Sequence, residues 1–499
     1  MIVVSIIFCL FVILINSYFY FAGFQSKSYR IKEGVFGMSV LIMIDTIALA
    51  LSAIISIIFE VVKFSDSVLV CVIATVPSFI AAIVKMLRFP KLRVKFTNRA
   101  IRAIVLFAVI PVALLITVFF VDKLLRAMGI ISTLSCIMVI ISLLITYPFE
   151  KRNNEKYLLS AQKKLKESGV FVIAITGSAG KTSVKQMLNV LLSPLGKVYT
   201  TPKNYNTPLG VAKAINEMPT DATIFIAEFG ARHTGDIDEL LRYFKPDVGI
   251  LTSVLPQHLE TFKSLDEIFT EKVKLLENSE VAFANEKCKM VSLNFPNHTQ
   301  FFGDSILINK KCNTEGSELT LLINNQQLSF STNLLGGVNV DNLILAIGVA
   351  VSLGVKVEEL SGLIKSIKQI PHRMERLVTD KGITIIDDSY NINPLGALSA
   401  IDLLKTANGR KIVTTSGFVE QGKNTAQATK ILVEKIVQDA DVMIIVGNKN
   451  KNEIIKNING RIEYHFAKDI SECTKVYSEI LRSGDTLLIQ ADIPVSFEL

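Results

Sequence analysis

The residues Gly177-Ser178-Ala179-Gly180-Lys181-Thr182 have the types and order needed to hold a phosphate. Glycines let backbone N–H groups close on an anion, and the helical pattern that starts at Ser183 adds the positive end of its dipole. Lys181 would reach the outer phosphates of a nucleotide, and the Thr182 hydroxyl would bind Mg²⁺. Two residues separate the glycines, so the loop is shorter than the general GxxxxGK[ST] pattern and matches it weakly on its own. Glu228 closes the apolar run Ile224 to Ala227, where a carboxylate near a phosphate loop can hold Mg²⁺. His258 follows another apolar run, and Lys272 comes 14 residues later in IFTEKVKLLE. Singly, Glu228 also reads as a surface-loop carboxylate, His258 as a structural or surface histidine and Lys272 as a solvated lysine.

The elements around these residues alternate. Phe171 to Ile175 is an apolar run that reads as a buried strand, and 224–227 and 248–251 are of the same kind. Amphipathic helical patterns separate them, which argues for a parallel sheet covered by helices. Residues 300–332 read as a small antiparallel β insert, with runs at 301–302, 305–308, 318–323 and 327–330. A helix is expected over 340–353. Near residue 371 a second α/β unit begins, with strands at 383–386, 411–415, 442–446 and 486–489.

Composition adds a membrane. Half of the 499 residues are hydrophobic and the mean hydropathy is +0.43, too apolar for an ordinary soluble enzyme. The excess lies in 1–24, 35–62, 67–87, 103–121 and 127–148, each about long enough to cross ~30 Å of hydrocarbon, so a bundle of five transmembrane helices is expected over 1–150. Basic residues gather in two loops (Lys27, Arg30, Lys32; Lys91, Arg93, Lys95, Arg99) and after the last span (Lys151, Arg152, Lys156). The positive-inside rule then puts the N-terminus outside and everything after Pro148 in the cytoplasm of a multi-pass plasma-membrane protein. Residues 1–152 hold 15 Lys+Arg against 6 Asp+Glu and the remainder is nearly neutral, so the net charge of +8 reflects topology and lipid headgroups, not nucleic acid. Asp45 falls inside the second span and is either an intramembrane polar site or a helix-end residue reached by water. The six cysteines have no zinc spacing and read as reduced structural thiols. The organisation is a membrane domain over 1–150, a polar, helical linker over 151–168, a nucleotide-binding domain over 169–370 and a last domain over 371–499.

The segments TGSAGKTS, KNYNTPLG, AEFGARHTGDI, KPDVGILTSVLPQHLETF, GGVNVDN, PHRMER and IIDDSYNINP, with Lys272 between the fourth and fifth, resemble the Mur ligase family. Within it they are most similar to the ligases that add D-alanyl-D-alanine. The resemblance implies a central P-loop ATPase domain, a Rossmann-like C-terminal domain, and ATP with Mg²⁺. It implies that Gly177 to Ser183 bind the phosphates and that Thr182, Glu228, His258 and a carbamylated Lys272 serve the metal. Asn339, Asn342, Arg373 and Asp388 match nucleotide-binding positions. Asn204, Asn206, Tyr390, Asn391 and Asn393 match segments facing substrate. Val338, Ser253, Leu255 and Gln490-Ala491-Asp492 depart from the family pattern, and the usual UDP-sugar domain is replaced by the apolar helices. The implied activity is ADP-forming amide synthesis, with Lys181, Glu228, His258 and Lys272 at the chemistry. An amino acid or dipeptide would be joined to a carboxylate on a lipid-linked glycan or growing polymer, with membrane lipids and membrane proteins as partners. A polyglutamate-type synthase and an ATP-driven transport or assembly subunit are the alternatives.

Overall fold

The computed structural model describes residues 2–26, 29, 31–64, 66–90, 92–120, 131–202, 205–257, 261–390, 393–418 and 425–491. They form two compact units, Met1–Lys156 and Tyr157–Leu499.

The second unit is built on two sheets. The first contains β1 (Phe171–Thr176), β2 (Val198–Thr200), β3 (Ile224–Glu228), β4 (Val248–Leu251), β5 (Val281–Asn285) and β6 (Thr299–Phe302). Their order is β2-β3-β1-β4-β5-β6 and all pairs are parallel. Such a sheet is covered on both faces, so its strands are continuously apolar and not alternating. One face packs on helices Lys181–Leu191 and Gly337–Ser352, the other on helices Pro208–Glu217, Asp236–Tyr243 and Leu265–Glu277. Leu158, Ala161 and Leu165, from the end of helix Ser135–Ser168, join that second core, so the polar run before β1 is packed helix.

The insert is narrower than the sequence suggests. It is a three-stranded antiparallel sheet of β7 (Leu307–Asn313), β8 (Gly316–Ile323) and β9 (Gln326–Thr332). Phe301 and Phe302 instead belong to β6, the sixth strand of the main sheet. Phe302 stacks on Phe283 with ring centroids 6.0 Å apart, and Phe301 meets Phe295 edge-on at 5.0 Å. Two adjacent aromatics on opposite faces suit a strand buried on both sides, which is why they read ambiguously in sequence.

The C-terminal sheet runs β10-β11-β15-β12-β13-β14. It contains β10 (Glu375–Val378), β11 (Thr384–Asp387), β12 (Lys411–Thr415), β13 (Val442–Val446), β14 (Glu463–Ala467) and β15 (Thr486–Gln490). Only β10 is antiparallel. The four expected strands are present. β10 and β14 are half-exposed and polar, and so lack an apolar signature.

Among the described residues of the first unit three helices are long and apolar enough to cross a membrane: Val4–Ser26, Ser39–Val61 and Val68–Arg88. Asn98–Phe120 covers the described part of the fourth expected span, and Ser135–Ser168 holds residues 135–148 of the fifth. A five-span bundle is therefore not established among the described residues. Asp45 is interior. Its Oδ1 lies 2.5 Å from Lys85 Nζ, and its Oδ2 accepts from Tyr20 at 2.5 Å. Lys85 also donates to Asn16 Oδ1 at 2.9 Å, and Asn16 Nδ2 donates to Ser78 on the helix that carries Lys85. This network joins the three apolar helices. Breaking one partner of a buried pair costs about 3–5 kcal/mol, because it strands the other charge. Lys85→Met should therefore lower the melting temperature in detergent sharply, and Asp45→Asn with Lys85→Met should recover most of the loss.

Candidate active site

β3, β1 and β4 lie side by side, and the loop after each carries one part of the site. Ligands collect outside the carboxyl ends of such strands. β1 leads to the phosphate loop, β3 ends on Glu228, and β4 leads to Thr252. Register places Glu228 opposite Ile175 and Leu251 opposite Thr176, so the three loops leave the sheet at one level.

The loop is shaped for an anion. Gly177 has φ +151° and Gly180 φ +85°. A Cβ on Gly177 would run into the Thr252 hydroxyl, and one on Gly180 into the Asn342 carboxamide. Helix Lys181–Leu191 starts with no side-chain cap, so its first N–H groups remain for a ligand. Thr182 and Ser183 occupy that first turn. The family departures at Ser253 and Leu255 fasten the loop. Ser178 N donates to Ser253 O at 2.9 Å, Ala179 N to Ser253 Oγ at 2.8 Å, and Leu255 N to Ser178 Oγ at 3.0 Å.

Two lysines sit where water is scarce. Lys181 Nζ donates to Gly177 O at 2.5 Å, and burial pulls its pKa down to about 8, against the opposing pull of Glu228. Lys272 is 3% exposed at a core position of helix Leu265–Glu277. Burial, then the nearby Lys181 charge, lowers its pKa to about 7. The preceding residue, Glu271, turns to the other segment, accepting from Gly235 N at 3.0 Å and Ile237 N at 2.7 Å. It thereby anchors the start of helix Asp236–Tyr243. Glu228 is 1% exposed and pairs with Lys185 Nζ at 2.7 Å.

A cleft between the two sheets is lined by Ala179, Gly180 and Ser183 on one side and by Arg373, Asp388 and Asn393 on the other. Asn339 and Asn342 form its floor. Asn339 Nδ2 donates to Leu335 O at 3.0 Å and Arg373 O at 3.2 Å, tying helix Gly337–Ser352 to the segment before β10. Asn342 Nδ2 is buried with no hydrogen-bond partner among the described residues. Burial lowers the pKa of Arg373, whose guanidinium lies 4.5 Å from the Tyr390 ring centroid. Burial raises Asp388 to about 7 against the pull of Arg373. Asn393 caps helix Pro394–Leu404 through Gly396 N at 2.9 Å, so its side chain has a structural duty. Asn206 faces Gly230, whose N–H donates to the Asn206 carbonyl at 2.8 Å. Asn204, His258 and Asn391 lie outside the described residues.

Residues 175–350 match the Mur ligase middle domain, and 372–492 match the Mur ligase glutamate ligase domain. Together these matches span more than half of the chain. The chain belongs to the Mur ligase family. Among curated proteins it is similar to the UDP-N-acetylmuramoyl-tripeptide–D-alanyl-D-alanine ligases of Bacillus subtilis and Borreliella burgdorferi. The first is 28% identical over 273 residues, covering 52% of this chain and 59% of that ligase. The second is 30% identical over 290 residues, covering 56% and 62%. The matched region thus spans less than two thirds of these Mur ligases. Among solved structures, the MurF ligase from Thermotoga maritima in complex with ADP shares the fold, with a TM-score of 0.62 at 23% identity, covering 68% of this chain and 80% of that one. Mycobacterium tuberculosis folylpolyglutamate synthase with ADP shares it more distantly, with a TM-score of 0.53 at 14% identity over 70% and 96%.

Sequence reasoning missed three residues that shape this Mur ligase site. Lys185 was marked only by its i+4 spacing from Lys181. Glu271 was hidden beside Lys272. His372, whose Nδ1 is 2.7 Å from Asp387 Oδ2, ties the segment before β10 to β11 and was marked only as part of PHRMER.

Two outcomes follow from this geometry. Gly180→Ala puts an L-residue at a left-handed φ, costing about 1–2 kcal/mol, and pushes on Asn342. Nucleotide affinity, read with a fluorescent ADP analogue, should fall about tenfold or more. Between about 7 and its ordinary value of 10.5, Lys272 has released in the folded state a proton that the unfolded chain still binds. Stability should therefore rise with pH across that window. Lys272→Met should flatten that slope and raise the melting temperature at neutral pH, read by thermal denaturation from neutral to alkaline buffer.

Proposed function

We propose that this Mur ligase is an ATP-dependent carboxylate–amine ligase held in the plasma membrane, with its catalytic unit on the cytoplasmic side. The observation that carries the reading is Lys272: a lysine on a core face, brought near neutrality by burial, beside the phosphate-loop lysine. Only a neutral amine takes up carbon dioxide, and the resulting carbamate is a carboxylate-like ligand. With Glu228, His258 and Thr182 it makes a donor set of hard oxygens and one imidazole that suits Mg²⁺. The uncapped helix start, the close-set glycines and the unpartnered Asn342 amide fit a nucleotide. Bound Mg²⁺ would offset charge on the β- and γ-phosphates.

The chain's own residues then have defined work. An oxygen of the substrate carboxylate attacks the γ-phosphorus, the bond to the bridging oxygen breaks and ADP departs. Lys181 offsets the charge spread over the transferred group. The amine attacks the activated carbonyl carbon, phosphate leaves, the amine proton passes to solvent, and an amide remains. Arg373 and Asp388, from the C-terminal domain, close the nucleotide side and exclude water from the activated carboxyl.

The acceptor is read as a carboxylate on a lipid-linked glycan or growing cell-envelope polymer. This rests on the apolar helices found within residues 1–150. The three apolar helices, with 98–120 and 135–148 completing five spans, would anchor the chain with its N-terminus outside. The amine is an amino acid or dipeptide, with D-alanyl-D-alanine first to try because the similar ligases are named for it. ATP turnover by the detergent-purified chain should require both an amine and a lipid extract, and mass spectrometry should find a new amide. Phosphate release that needs neither would overturn the ligase reading in favour of a transport or assembly ATPase.

A further inference from the structure

Lys185 has no role in the chemistry above, yet it is buried behind the phosphate loop. It lies one helical turn after Lys181 on helix Lys181–Leu191 and is 3% exposed. Lysine is almost never buried so completely without a partner. Its Nζ is 2.7 Å from Glu228 Oε1 and donates to Thr201 O at 2.6 Å. Thr201 is held in turn: its N–H donates to Ile226 O at 3.0 Å, and its hydroxyl accepts from Glu228 N at 3.3 Å. The phosphate-loop helix, the end of β2 and the end of β3 are thus clasped at one point.

We infer that Lys185 is a positioning residue: it holds the Glu228 carboxylate in place and aimed, so that the divalent cation of the nucleotide complex finds a ready ligand. This rests on the ligase reading. A carboxylate at 1% exposure without a counter-charge is costly. Lys185 supplies that charge from behind, on the helix whose start faces the phosphates. Fold stability alone does not require the pair, because apolar residues of similar volume fill such a place as well or better. The pair instead stands at the one level of the sheet where three loops converge on the ligand. Partners of this kind, behind a metal ligand, are typically worth about 10–100-fold in metal affinity.

The test uses the full chain in detergent and Mn²⁺ as the probe, followed by electron paramagnetic resonance in the presence of ADP. Lys185→Met should weaken Mn²⁺ binding about tenfold or more. Metal-free ADP affinity, measured in chelator, should stay within about twofold, because Lys185 reaches Glu228 and Thr201, at the ends of β3 and β2. Lys185→Arg, which keeps the charge, should recover part of the Mn²⁺ affinity. Unchanged Mn²⁺ affinity in folded Lys185→Met overturns the inference. If Lys185→Met does not fold, Lys185→Arg decides: a donor displaced from Glu228 should alter Mn²⁺ affinity at constant ADP affinity, and wild-type values for both overturn the inference. Failure of the wild-type chain to bind Mn²⁺ with ADP would instead count against the ligase reading itself.

Discussion

Charge buried at the carboxyl ends of three parallel strands is the constraint on which the catalytic unit turns. Lys181, Lys185, Glu228 and Lys272 meet in a region of low exposure, where the Glu228 carboxylate offsets Lys185 and Lys181 while the Lys181 charge disfavours a proton on Lys272. Lys185 neutralises Glu228 at 2.7 Å. Lys181 is held by the carbonyl of Gly177 and attracted by Glu228. Lys272 gives up much of its charge, with its pKa at about 7. A buried cluster with perturbed proton affinities is a costly arrangement, and such clusters gather at functional sites.

The rest of the unit exists to hold that cluster still. Its strands are apolar on both faces, so the sheet is locked between two helix layers and the strand ends cannot shift independently. The loop after β4 grips the phosphate loop through Ser253 and Leu255, residues that differ from the family pattern and still perform a fastening task. The C-terminal domain adds Arg373 and Asp388, each next to a residue of the His372–Asp387 contact. Domain and loop contacts therefore converge on the nucleotide side of the cleft.

The same physics recurs in the apolar unit. Asp45 and Lys85 are buried between helices and satisfied by each other, by Tyr20 and by Asn16. An ionisable pair among apolar helices costs energy unless every lone pair and proton has a partner, and here each helix of the trio contributes one. Whether a charge is buried among strands or among apolar helices, the chain compensates it locally.

The local motifs were legible in sequence because their physics is local. A glycine loop between an apolar run and a helix, a carboxylate closing a strand and segments in family order depend on neighbours a few residues apart. The apolar runs also announced long helices, though three meet the requirement for crossing a membrane among the described residues where five were expected. Tertiary structure decided what depends on distant partners. Phe301 and Phe302 joined the main sheet because β5 and the helix after the insert gave them two faces to fill. Asp45 proved interior because Lys85, 40 residues away, came to meet it. Lys272 became a near-neutral amine only because its helix turned that side chain inward toward Lys181. Lys185, an unremarked lysine in the sequence, became the counter-charge of Glu228 because β3 ends beside its helix. Residue type and spacing set the available chemistry. Burial set which proton, charge and partner each group has, and burial belongs to the whole fold.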